Sequence, residues 1–364
     1  MNRSTPRNLG IVLFALVAIL IGVEIADRSG GPAGVGGLLF EDLKDRINDV
    51  ERMTVEASGE EAVVVERSDS GWVVRNRDGY PADVARVRDV LIALSDARIV
   101  ELKTSNPDRY EAIGVRDPEE AGAAGRRLTA TAGDAPFSVI IGDAAAGSSR
   151  YVRPSGEERS LLIDTSPDVP EDAAGWLDPA LLDIEASTLQ AVSIEHADGE
   201  SLSIEKSSRD EANFTVANIP EGRELSYPTV ANSIAGALND LELEDVRQAT
   251  DAEASSVTTF TSFDGLVVQA RVFTDDEDSR WVAFDANAID PPIGEEDDPA
   301  DDGSAEAEDA DAESSPAATP VDVAARADEI NAKLRGWEYR IADYKANQLT
   351  RRWDDILAEV EQED

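Results

Sequence analysis

The chain of 364 residues carries 76 acidic side chains against 33 Lys and Arg, a formal charge of -43, with one histidine and no cysteine. So negative a surface repels phosphate backbones and excludes nucleic acid as a partner, and the missing thiols exclude cysteine nucleophiles, disulfide exchange, Fe-S clusters and Cys-rich zinc sites. Its 41% hydrophobic content is enough for packed cores, and its length suits two domains at roughly 150 residues each.

Residues 1–8 hold Arg3 and Arg7 and are followed by an uncharged run from Leu9 to Val23; Leu9 to Ala26 contains only Glu24. A helix over 9–26 would span roughly 27 Å at about 1.5 Å per residue, close to a hydrocarbon core of about 30 Å. With Arg3 and Arg7 before it and Glu24 and Asp27 after it, the positive-inside rule puts the N-terminus in the cytoplasm and the bulk of the chain outside. The expectation is a single-pass signal-anchor in a bacterial inner membrane, with the lipid bilayer as partner through Leu9 to Ala26 and the remainder periplasmic. No small-x-small site follows the run in VEIADRSG, so a retained anchor is favoured over a cleaved signal peptide. Residues 27–46, including the Gly-rich stretch from Gly30 to Gly37, read as a juxtamembrane linker rather than a dinucleotide-binding loop.

A first module is expected over 47–185. Val55, Val63 and Val65 alternate with polar residues about a turn at Gly59, the pattern of a half-buried hairpin. A strand from Trp72 to Arg75 follows, then Tyr80-Pro81, then Asp83 as the cap of a helix whose face is Val84, Val87, Leu91 and Leu94. Strands return at Phe137 to Ile141 and at Arg150-Tyr151-Val152.

A second module, 186–364, repeats this order. Ile194, Leu202 and Ile204 alternate about Gly199, a strand runs from Phe214 to Ala217, and Tyr227-Pro228 precedes Thr229 as the expected cap of a helix carrying Val230, Ile234, Leu238 and Leu241. Leu266 to Phe273 and Arg280-Trp281-Val282 match the later strands. The chain is therefore read as an internal duplication, in which shared positions are core and unshared ones are where function is sought. The fold class expected is α+β: one N-terminal transmembrane helix, then two tandem modules of antiparallel-rich sheet with packed helices.

The acidic stretch 291–320 breaks the repeat. It lacks Lys, Arg and aromatic residues and reads as a disordered insertion. Beyond it a short helix is expected at Asp328 to Leu334, a strand at Trp337 to Ile341 and an amphipathic helix at Leu349 to Val360.

Catalytic signals are absent from the pattern. No Gly-x-x-x-x-Gly-Lys-Ser/Thr loop and no Gly-x-Ser-x-Gly elbow occurs. The lone histidine, His196, stands opposite Ala57 of the first copy and reads as a sheet-surface or turn-proximal residue. Asp275, Asp276, Glu277 and Asp278 lack the calcium-loop pattern and read as a solvated hairpin turn. No catalytic, cofactor-binding or metal-ligating residue is assigned.

Trp72, Tyr80-Pro81-Ala82-Asp83, Tyr110 with Gly114 and Asp117-Pro118, Ile141-Gly142, Tyr151-Val152-Arg153, and the closing Gly336-Trp337-Glu338-Tyr339 with Lys345 resemble, in that order, the bacterial family called domain of unknown function 4340. The resemblance implies a membrane-anchored α+β protein, an accessory part of ABC-type export systems related to gliding-motility transporters, and it carries no catalytic residues over. The resulting expectation is a non-enzymatic periplasmic binding or scaffold module whose partner is an ABC permease or another envelope protein. Two alternatives stand beside it: a carboxylate-dependent hydrolase acting on envelope polymer, and a purely structural envelope spacer.

Overall fold

The computed structural model describes residues 34–275, 278–290 and 322–358, and the chain divides into two units between Asp178 and Pro179. Each unit is built on one nine-stranded antiparallel sheet.

In the first unit, a helical turn α1 (Leu43–Arg46) leads into β1 (Val50–Glu56), β2 (Val63–Ser68), β3 (Gly71–Val74) and β4 (Tyr80–Pro81). The 13-residue helix α2 (Val84–Asp96) follows, then β5 (Ile99–Leu102), β6 (Arg126–Ala132), β7 (Ala135–Ala144), β8 (Arg150–Pro154) and β9 (Leu161–Ile163). The spatial order is β4-β3-β2-β1-β6-β7-β8-β9-β5. Met53, Val55, Val63 and Val65 all face the core, as period-2 alternation requires. Helix α2 begins where Asp83 accepts hydrogen bonds from the backbone N–H of Ala85 and Arg86. It buries Val87, Val90, Leu91 and Leu94, each worth about 1.5–3 kcal/mol.

The second unit contains β10 (Ala180–Leu182), β11 (Leu189–His196), β12 (Ser201–Glu205), β13 (Thr215–Ala217), helix α3 (Val230–Ala235), and β14 (Leu241–Gln248). β15 (Ser256–Ser262), β16 (Leu266–Thr274), β17 (Arg280–Ala288), α4 (Val323–Leu334), β18 (Trp337–Ile341), α5 (Asp343–Leu349) and α6 (Trp353–Ile356) complete it. The sheet runs β10-β14-β18-β17-β16-β15-β11-β12-β13. Apart from β4 and β10, this is the first sheet's order strand for strand.

The irregularities repeat as well. A bulge interrupts β1 against β6 between Val50 and Arg52, and another interrupts β11 against β15 between Leu189 and Ala191. The pairs β5–β9 and β14–β18 are likewise bulged, at Ile99/Glu101 and Leu243/Asp245. Because a bulge re-aims a strand at a fixed place, these matched pairs define equivalent positions in the two units.

Several expectations need correction. The fold is two large antiparallel sheets with few helices, rather than the expected α+β modules of antiparallel-rich sheet with packed helices. Among the described residues no helix is long and apolar enough to cross a membrane; the expected transmembrane helix at 9–26 lies outside the described residues, as do residues 27–33 of the expected linker and the acidic stretch 291–320, while the rest of that linker, 34–46, packs into the first unit with Leu39 and Leu43 buried. The second module's helix stops at Ala235, followed by a 3-10 turn at Gly236–Leu238, and Leu241 belongs to β14 instead. The cause is local: Leu241-Glu242-Leu243-Glu244 has a period of two, and its burial alternates accordingly. Thr229 makes no side-chain cap bond. The expected terminal helix from Leu349 is broken, since α5 ends there and Arg352 is extended; Glu200 accepts the backbone N–H of Trp353 and α6 starts anew. In the other direction, the helix expected from Asp328 begins five residues earlier in the chain, at Val323, where Asp322 caps it.

Candidate functional site

The sequence motifs that carry the family resemblance serve the fold. Gly114 adopts a left-handed φ of 67°, and a Cβ on Gly142 would stand 2.3 Å from the Ile113 carbonyl oxygen. These glycines let the loop at 110–118 press against β7. Arg153, buried on β8, fastens that loop: Nε donates to the Val115 carbonyl at 3.0 Å, Nη1 to the Glu157 carbonyl at 2.9 Å, and Nη2 to Asp117 at 2.7 Å. Its guanidinium lies 4.7 Å from the centre of the Tyr110 ring, and the Tyr110 hydroxyl donates to the Glu158 carbonyl.

The closing motif does similar work in the second unit. Glu338 is wholly buried on β18 and accepts from Arg247 Nε and from both the backbone N–H and hydroxyl of Thr250. Arg247 stacks 4.1 Å from the Trp281 ring centre. Lys345 donates to the carbonyls of Gly236 and Asn239 and so satisfies the end of the helical segment that follows α3; burial draws its pKa below the ordinary lysine value.

The matched registers bring out a corner where the two units part. In the first unit Val55, Leu128, Val139 and Pro154 lie abreast on β1, β6, β7 and β8; in the second, Ile194, Thr258, Ala270 and Phe284 do so on β11, β15, β16 and β17. Two residues beyond this row, at the β1–β2 turn, stand Ala57 in one unit and His196 in the other.

Beside Ala57 is a hollow of about 210 Å³ lined by Glu56, Ala57, Glu60, Ala62, Pro118 and Glu119. Arg127 reaches Glu56 at 3.3 Å, Glu119 at 2.5 Å and Asp117 at 3.1 Å. The bond from Arg127 holds the Glu119 carboxyl below the usual carboxylate range. Burial opposes the charge on Arg127, but the bond and the field of Glu119, with Glu56 and Asp117, outweigh it and push its pKa up.

Beside His196 is a hollow of about 230 Å³ lined by Ser255, Ser256, Val272, Thr274, Arg280, Thr350 and Arg352 as well as the imidazole. His196 and Ser256 are direct partners on β11 and β15. Thr350 and Arg352 come from the segment after α5. This segment packs on the face of the second sheet that carries His196 and Thr258, where the Thr258 hydroxyl donates to the Leu349 carbonyl, whereas residues 110–120 pack on the opposite face of the first sheet, where Val115 meets Ile140 and the Ser58 hydroxyl donates to the Glu120 carbonyl.

Sequence reading passed over this cluster because its members are scattered from 196 to 352. The available signal was the replacement of Ala57 by His196 in an otherwise matched pair of turns. Among the described residues no group of three or more His, Asp or Glu is arranged to hold a metal ion.

Comparison with known protein families matches residues 72–259, from β3 through β15, to Domain of unknown function (DUF4340). Neither a curated protein nor a solved structure matches the chain. The match covers more than half of the chain and contains Trp72, the Tyr80-to-Asp83 cap, the Tyr110-to-Pro118 loop and Arg153, and the chain belongs to the DUF4340 family.

Proposed function

We propose that this chain is a non-enzymatic binding or scaffold protein of the bacterial envelope, working at the periplasmic face of the inner membrane as an accessory subunit of an ABC-type exporter. The observation that carries this reading is an edge of the first sheet that, among the described residues, stands open along most of β5. β5 ends that sheet, and its Val100 and Leu102 are 46% and 45% exposed. Among the described residues the segment before α1 covers the start of β5 alone, where Gly36 N–H donates to the Ile99 carbonyl and Ile99 N–H to the Gly37 carbonyl. Lys103 is tied to Glu101 at 2.7 Å, so the two charges that flank Leu102 offset each other rather than guard the edge. An edge strand bearing exposed apolar side chains is a template for strand addition by a partner.

The basic-then-apolar order of residues 3–26 supports a location beside the membrane, where proximity to a permease raises effective concentration without high intrinsic affinity. The hydrolase reading is less well supported, because retaining or inverting glycosidase chemistry needs two free carboxyl groups at about 5–9.5 Å across a cleft. Among the described residues the hollow at His196 is lined by no acid, and Glu56 and Glu119 in the other hollow are tied to Arg127.

Affinity purification of the full chain from detergent-solubilised membranes tests the proposal. An ABC permease and its ATPase should be recovered with the native chain and lost with the double substitution Val100→Lys, Leu102→Lys. Failure to recover either, under conditions that keep other membrane complexes intact, or equal recovery with the double variant, would count against it.

A further inference from the structure

We infer that the hollow beside His196 in the second unit is a binding site for a small oxyanion group, the chemistry shared by phosphate and carboxylate.

Its lining is the first argument. Acids outnumber Lys and Arg by 76 to 33 in this chain, yet among the described residues the hollow brings together His196, two arginines and four hydroxyl residues with no carboxylate in the lining. The hollow at the first unit's matched turn lies on the other face of its sheet, since Glu56 alternates with core-facing Val55, and it presents Glu56, Glu60 and Glu119.

The second argument is an unanswered donor. Ser256 is 2% exposed, and its hydroxyl has no hydrogen-bond partner among the described residues. Burying a hydroxyl without a partner is costly, and a ligand oxygen in the hollow would supply one.

The guanidinium donors are held ready, and His196 forms a wall of the hollow. A carbonyl oxygen can only accept, so the 3.2 Å contact of His196 Nε2 with the Arg351 carbonyl places an N–H on Nε2 and fixes the ring against the hollow. Arg352 spends only Nη1 on Asp198 and Glu200. Arg280 spends Nη1 on Asn347 and Nη2 on Asp343, whose side chain is 94% exposed and grips it weakly. Asp198, Glu200 and Asp343 therefore orient the guanidiniums without entering the lining. The geometry leaves Arg280 Nε and the far side of the Arg352 fork without a bond to a described residue, and both residues line the same hollow as Ser256. At about 30 Å³ per water molecule, 230 Å³ accommodates an oxyanion and a few waters.

Because His196 is the chain's only histidine, histidine-selective isotope labelling of the full chain, purified in mild detergent through a tag without histidine, gives a spectrum from this one site. Inorganic phosphate and acetate are titrated separately against sodium chloride at matched ionic strength. A saturable displacement of the His196 ring resonances by phosphate, acetate or both, beyond that of chloride, is the expected result; which of the two acts identifies the oxyanion's source. Arg280→Gln should weaken the response about tenfold or more, the loss of one charge-assisted contact. Ser256→Ala, which removes the unpartnered hydroxyl and leaves the fold intact, should weaken it several-fold. A displacement no larger than that from chloride overturns the inference, as does a response that Ser256→Ala and a folded Arg280→Gln both leave unchanged.

Discussion

Replacing Glu338 by Gln isolates the electrostatic part of the second unit's core. Glu338 is 0% exposed and receives Arg247 through Nε at 2.8 Å and Nη2 at 2.7 Å, and Thr250 through its backbone N–H and hydroxyl, both at 2.7 Å. Glutamine preserves the volume and can keep the Thr250 bonds on its oxygen, but its amide nitrogen then faces two guanidinium donors. Two charge-assisted bonds at about 1.5–3 kcal/mol each are lost. Arg247 keeps its stack on Trp281, has Asp275 at 3.7 Å and is 31% exposed, which returns part of that loss. The net cost at neutral pH should be about 2–3 kcal/mol.

The pH dependence has a definite sign. Burial pushes the Glu338 carboxyl upward, but the bonds from Thr250 and Arg247 outweigh it and leave the folded value below the ordinary 4.5. A depressed folded value means that the native advantage is complete above the unfolded value and is lost as pH falls through the folded one. The gap between native and Glu338→Gln should therefore be full at pH 7 and should shrink in acid. Hydrogen exchange read by mass spectrometry over β14 and β18 measures it without mixing the two units. A change under about 0.5 kcal/mol at pH 7, or a gap that persists undiminished in acid, would refute this reasoning.

Three further substitutions probe the shared architecture. Gly142→Ala places a methyl 2.3 Å from the Ile113 carbonyl oxygen and 2.6 Å from Val115 Cγ1, and backbone cannot yield cheaply; exchange protection of residues 110–118 should fall by about 2–3 kcal/mol. Asp83→Ala removes the cap that receives Ala85 and Arg86 and should cost about 1 kcal/mol in urea denaturation. Thr229→Ala, at the matched position, removes no cap bond and should stay within about 0.5 kcal/mol.

These contrasts show which features were legible in the sequence. The hairpins around Gly59 and Gly199 were readable because one face of each strand is buried, so Val55, Val63, Val65, Ile194, Leu202 and Ile204 keep a strict period of two. The cap at Asp83 was readable because capping is local chemistry. β14 was misread because Leu238 and Leu241 fit helical spacing, although Leu241 already starts a two-residue alternation. Sheet order, the paired bulges and the loop clamp of Arg153 depend on partners distant in the chain and leave no local trace. The hollow at His196 was hidden for the same reason: residues from β11, β15, β16, β17 and the chain after α5 meet there. Comparing the two copies did mark the spot, since His196 is where Ala57 is not repeated.

The central claim, that the β5 edge receives a partner strand, is tested most directly by placing a photoreactive amino acid at Leu102 in the full chain and irradiating intact cells. Leu102 should give a discrete adduct with an ABC permease or its periplasmic loop, whereas the same group at Tyr344, 62% exposed in the second unit, should not. No adduct at Leu102, or the same adduct from both positions, would contradict the account.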